Sequence, residues 1–142
     1  MEDDGGPVGP QIEVTGVEIT PFGECAFEEE LGLGITFSTD TPLSGYFWRV
    51  TYVVDTSKRR MIIEVGTTLP ADYVPGHNAM AFTCPRFDVS GVPEDIRAQV
   101  NGLLVAVLTG PGGEEAMTVN MVVNVAKRED GTLTRSIFNP MD

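Results

Sequence analysis

Leu103-Leu104-Val105-Ala106-Val107-Leu108, then Gly110-Pro111-Gly112-Gly113, then Met117-Thr118-Val119-Asn120-Met121-Val122-Val123 is the stretch that decides the fold. Two apolar runs separated by a turn-forming Gly/Pro cluster read as a β-hairpin. The first run is apolar at every position, so both of its faces ask for cover, whereas one face of a small antiparallel sheet normally meets water. Either another part of the chain covers the second face or a partner does.

The same period of two recurs upstream, and no stretch sustains a helical period over three turns. Ile12 and Val14 fall out of phase with Val17 and Ile19 across Gly16, which predicts a β-bulge or a strand crossing between sheets. Leu31, Leu33, Ile35 and Phe37 alternate with small residues in a half-buried strand that the Asp40-Thr41-Pro42 turn ends. Trp48, Val50, Tyr52 and Val54 form one face of the next strand, with Arg49 and Thr51 on the other, and Met61 to Val65 forms a short strand after the Asp55 to Arg60 loop. Pro75-Gly76 turns into a strand around Asn78 to Thr83. Val92-Pro93-Glu94-Asp95 suits the first turn of a short helix near residues 92–98. About seven strands with turn signals at short intervals predict an all-β, immunoglobulin-like antiparallel β-sandwich. Residues 1–10 read as an acidic Gly/Pro-rich tail, 11–126 as the sandwich and 127–142 as a C-terminal extension that has room for an extra edge strand.

The chain has 142 residues, enough for one domain that buries roughly two-thirds of its unfolded surface. Its 21 acidic and 9 basic residues give a net charge of -12, which disfavours direct contact with nucleic acid or anionic lipid and favours either basic partners or plain solubility. Lys58, Arg59 and Arg60 hold a third of the basic residues in one hairpin loop, which reads either as a solvated tip or as a local contact point for an acidic partner. The first residues have no apolar run of a secretory signal, and no run has the length of a membrane span, so the expectation is a soluble intracellular protein.

Cys25 and Cys84 have neither CxxC spacing nor histidine companions, so no zinc or redox site is indicated, and they read as reduced, partly buried thiols. The single histidine, His77, follows a Pro-Gly turn with no nucleophile or metal triad near it in sequence. The glycines at 110–113 lack the GxxxxGK[ST] pattern of a phosphate loop and join two strands, so they form a hairpin turn. Glu94-Asp95 and Glu114-Glu115 suit solvation or capping better than acid/base chemistry. No cofactor and no enzymatic activity are expected.

Several fragments in order resemble the anti-silencing function 1 (Asf1) histone chaperones over about Ile12 to Val125. Gly34-Ile35-Thr36-Phe37, Pro42-Leu43 and Trp48 to Val53 are similar to the family's "ITFEC…L…LEWKIIYV". Val74-Pro75-Gly76-His77 leading to Met80-Ala81-Phe82 follows, and Val92-Pro93-Glu94-Asp95 with Val105 to Thr109 resembles "IPDADAVGVTVVLITC". The resemblance implies a non-enzymatic, nuclear module that binds a histone H3–H4 dimer, with an H3 helix on a concave sheet face. It carries the central apolar contact onto Leu104, with Ala106 beside it, and an aromatic contact onto Val122. On the hairpin's alternation, Leu104, Ala106, Leu108, Thr118, Asn120 and Val122 then form the docking face, and Leu103, Val105, Val107, Val119, Met121 and Val123 the core face.

The family's basic residue on that face falls at Thr118 in this chain, and its acidic residue before the short strand falls in Lys58-Arg59-Arg60. These departures give an alternative: an architectural subunit of a larger assembly that docks through the sandwich without binding histones. Leu133 to Phe138 matches either the family's last strand, "VTRF", or the "ELRENPP" segment before it. In the second case a sheet edge stays open.

Overall fold

The computed structural model describes residues 10–55, 60–88, 92–93 and 101–141. The acidic tail at 1–9, Lys58 and Arg59 of the basic loop, and 94–98 of the expected helical turn lie outside that set. The described residues form an antiparallel β-sandwich of ten strands and no helix. In chain order these are β1 (Ile12–Thr20), β2 (Cys25–Ala26), β3 (Leu31–Thr39), β4 (Leu43–Asp55) and β5 (Arg60–Thr67). They continue with β6 (Ala71–Tyr73), β7 (Gly76–Cys84), β8 (Gly102–Thr109), β9 (Glu115–Lys127) and β10 (Leu133–Ile137). The smaller sheet has the order β1-β3-β7, and the larger runs β2-β10-β9-β8-β4-β5 with β6 paired to β4.

Alternation in sequence becomes burial wherever only one parity is apolar. Trp48, Val50, Tyr52 and Val54 of β4 are buried and face Leu31, Leu33, Ile35 and Phe37 of β3 in the opposite sheet's core layer. The phase change across Gly16 is a bulge: Val14 pairs with Phe37 and Gly16 with Thr36. A β-carbon at Gly16 would lie 2.6 Å from Thr36 Oγ1, so a larger residue in the bulge requires the exposed Thr36 side chain to move.

The hairpin turn at 110–113 has the expected chemistry. Gly113 N donates to Gly110 O (2.9 Å), Gly110 N donates to Glu114 O (2.8 Å), and Gly113 has φ of 90°, which glycine adopts without steric cost. The Glu114 carboxylate accepts from Gly112 N (2.9 Å) and so stabilises the turn.

The C-terminal segment forms β10, which pairs with β9 on one side and with β2 on the other. From it, Arg135 enters the core at 1 % exposure. Its guanidinium donates to the carbonyls of Phe27, Glu29 and Glu30 and lies over the Phe87 ring, 5.1 Å from the centroid. It thus ties the 27–30 connection between β2 and β3 to the larger sheet. Phe27, Tyr52 and Phe87 pack edge-on or tilted around it at centroid distances of 5.1 to 6.2 Å.

Candidate functional site

The two faces of β8 are now distinguishable, and they reverse the sequence-based assignment for this strand. Leu104, Ala106 and Leu108 are wholly buried in the core, where they pair with Met121, Val119 and Met117 of β9. Leu103, Val105 and Val107 point outward, paired with Val122, Asn120 and Thr118. The β9 half of the assignment stands: Val119, Met121 and Val123 are core, and Thr118, Asn120 and Val122 are exposed. The six proposed docking positions therefore divide between two faces. Directly opposed residues of an antiparallel pair share a face. Next to the turn Thr109 opposes Glu115, but a register shift between Leu108 and Thr109 makes Leu108 oppose Met117. Along the rest of the hairpin residues of unlike parity are therefore opposed, and even-numbered positions on β8 and β9 cannot lie together. The turn alone carried the opposite signal, since Gly110 faces Glu114 and like parities are opposed there; the bulge beside it, which no residue pattern in the apolar run marks, reverses the register.

The outer face of the larger sheet is built on this register. Ile62 of β5 pairs with Val53 of β4, Val53 with Leu103 of β8, and Leu103 with Val122 of β9. One residue past β10, Phe138 N donates to Val122 O (2.9 Å) and continues the row. Ile62 is 56 % exposed, Leu103 37 %, Val122 43 % and Phe138 53 %, with Val53 half-buried between them. Four neighbouring strands and the residue that follows β10 thus present one apolar side chain each in a line perpendicular to the strands. Four interstrand spacings make that line about 19 Å long. Sequence reasoning missed Ile62, Val53, Leu103 and Phe138, because each sits in a different segment and only the pairing register brings them together.

Beside this row the face turns polar. Thr51, Val105 and Asn120 form the next line with Glu64, and Arg49, Val107 and Thr118 the one after. Arg49 lies diagonally from Glu64 and binds its carboxylate through both Nε (3.0 Å to Oε2) and Nη2, so these two charges neutralise each other on the surface. The hydrogen bond to Glu64 also raises the arginine's already high pKa. Thr118 lies at the polar end, and Asn120 and Val122 follow it along β9.

Arg60, at the start of β5, is exposed and pairs with Asp55 across the hairpin (Nη2 to Oδ2, 3.3 Å). Lys58 and Arg59 lie outside the described residues. Cys25 and Cys84 are half-buried free thiols, and burial pushes the Cys25 thiol pKa up, which keeps it protonated. Among the described residues, no cluster of three or more His, Cys, Asp or Glu side chains is placed to hold a metal ion. His77 is exposed at the start of β7. Among the described residues, no helix is long and apolar enough to cross a membrane. No protein-family model matches the chain, and no curated protein matches it in sequence.

Proposed function

We propose that the protein is a non-enzymatic docking module that binds an amphipathic helix of a basic partner across the outer face of its larger sheet. The observation that carries this reading is the apolar row Ile62, Val53, Leu103, Val122 and Phe138. A helix rises 1.5 Å per residue, so about 13 residues, or between three and four turns, span a row of about 19 Å. Apolar side chains at i, i+3 or i+4, and i+7 would meet the row, and the helix's polar flank would lie over Thr51, Asn120 and the Arg49–Glu64 pair. The net charge of -12 favours a basic partner. Together with the resemblance to Asf1 chaperones, it supports the histone H3–H4 dimer as that partner and a nuclear location.

A second reading rests on the charges around the row. Thr118 offers no charge where the family has a basic residue, and Arg60 is basic and tied to Asp55 where the family has an acid. Both changes favour a fixed non-histone neighbour in a larger assembly, which would need no charge-assisted contact at these points.

The test compares Leu103→Arg with Leu104→Arg. Leu103→Arg keeps the thermal midpoint and circular dichroism of the wild type and lowers affinity for purified H3–H4 at least tenfold in calorimetric titration. Leu104→Arg unfolds the domain, since it places an unpaired charge in the core. A wild-type protein that ignores H3–H4 but co-purifies with a constant set of other subunits, lost in Leu103→Arg, establishes the second reading. Retention of every partner by Leu103→Arg refutes the docking face altogether.

A further inference from the structure

The smaller sheet ends in strands β1 and β7, and the larger in β2 and β5. Free strand edges invite pairing, and proteins blunt them with short length, charge, proline or a bulge. Three of these four edges are blunted. β1 carries Glu13, Glu18 and the Gly16 bulge; β2 has two residues; and β5 carries Arg60 and Glu64 and a register irregularity against β4.

Strand β7 has none of these devices. Its nine residues, Gly76-His77-Asn78-Ala79-Met80-Ala81-Phe82-Thr83-Cys84, contain no carboxylate, lysine, arginine or proline. They pair with β3 without a bulge from end to end. On its other side no strand is paired among the described residues. Beneath that side, the core-facing residues of β5 are incompletely covered: Met61, Ile63 and Val65 are only half-buried. The Phe82 ring fills the space over Gly66, where a β-carbon would lie 2.9 Å from it, but no described strand beyond β7 continues the cover.

We propose that this edge pairs with β7 of a second copy of the chain, joining two three-stranded sheets into one of six across a two-fold axis. A shared inner face requires opposed residues of like parity. The register that pairs all nine residues puts the axis at Met80. Ala79 then opposes Ala81 of the second copy, Asn78 opposes Phe82, and His77 opposes Thr83. No charged side chain is opposed, so the net charge of -12 acts only at longer range, where physiological salt screens it beyond about 8 Å. Met80 of the second copy enters the layer over Met61, Ile63 and Val65 and covers them. Ala79, Ala81 and Thr83 face outward and are small, so the joined sheet is free of steric conflict on its solvent side. The contact is isologous and closed, which gives a dimer and not a fibre. It uses the smaller sheet and leaves the apolar row free on both copies.

Sedimentation equilibrium of the full chain tests this. The wild type sediments as a dimer, and Ala79→Lys/Ala81→Lys as a monomer with an unchanged circular dichroism spectrum, because like charges then oppose each other at two places. Ala79→Lys/Ala81→Glu restores the dimer, because the same register opposes unlike charges. Leu103→Arg remains dimeric. A monomeric wild type at millimolar concentration overturns the proposal. So does a dimer that survives the double lysine variant, or one that Leu103→Arg dissolves.

Discussion

Replacing Arg135 tests how the sandwich is closed at the β2 end. Its guanidinium is almost fully removed from water and holds three backbone carbonyls of the 27–30 connection. In Arg135→Ala the Phe27 carbonyl is left buried with no donor at this point, which costs about 2 kcal/mol. Those of Glu29 and Glu30 belong to exposed residues and regain water, so each loses only about 0.5 to 1 kcal/mol of net hydrogen bonding. Loss of the contact with Phe87 adds roughly 1 kcal/mol. Relief of the desolvation of the charge opposes these terms. Burial pulls the arginine's pKa down, which shows the opposing cost on the same group. The expected net loss is about 3 kcal/mol, a large part of the 5 to 15 kcal/mol that holds a typical domain together. Urea unfolding followed by the fluorescence of Trp48, the chain's single tryptophan and wholly buried, measures it. Arg135→Lys should fall between the two proteins, because one ammonium group cannot reach all three carbonyls. An Arg135→Met variant as stable as the wild type refutes the reasoning, for it shows that the carbonyls need no donor and that apolar volume alone closes the core.

Two other perturbations act on the same aromatic cluster. A β-carbon at Gly102 would lie 2.5 to 2.6 Å from the ring and hydroxyl of Tyr52, which Phe27 and Phe87 hold in place, so Gly102→Ala should cost about 1 to 3 kcal/mol in urea unfolding. Adding Tyr52→Leu should recover part of that loss, and full independence of the two changes counts against the clash. Burial pushes the Tyr52 pKa up to about 12 from its ordinary value near 10. The folded state thus resists ionisation: this stabilisation is complete below pH 10 and is lost as pH rises from about 10 to 12, amounting to about 3 kcal/mol. Tyr52→Phe should flatten the fall in unfolding midpoint over that interval, and an unchanged fall assigns it to other groups.

The strands that were legible in the sequence are those in which only one parity is apolar. In β3 and β4 glycine, threonine and arginine alternate with large apolar residues, so the core side is written in the order of residues. In β9 Thr118 and Asn120 identify the outer face. β8 offers no such contrast, since Leu103 and Leu104 are equally apolar, and the hydrophobic pattern fits either orientation. What decides it is the pairing with β9, shifted by the bulge between Leu108 and Thr109, a constraint between strands and not within one. Arg135 was illegible for the opposite reason. A charge in Leu133-Thr134-Arg135-Ser136-Ile137 reads as solvent-facing, and only the fold brings three carbonyls and an aromatic ring to meet it.

The reversed face of β8 strengthens the docking argument more than the original assignment did. With Leu104, Ala106 and Leu108 in the core, a mutation there tests folding and says nothing of partners. With Leu103 outside, the apolar character of β8 is left without cover from the described chain on its outer side, and Ile62, Val53, Val122 and Phe138 extend it over neighbouring strands. Isolated exposed apolar residues are ordinary on protein surfaces, but residues aligned by register form a continuous patch, and such patches mark contacts. The prediction is therefore one of spatial pattern: Ile62→Arg, Leu103→Arg and Val122→Arg should each weaken binding while leaving the melting temperature within a few degrees of the wild type. Thr118→Arg, at the polar end of the same strand as Val122, should have a smaller effect if the row is the contact. Equal losses at Thr118 and Val122 would instead place the partner along β9, parallel to the strands, and exclude a helix lying across them.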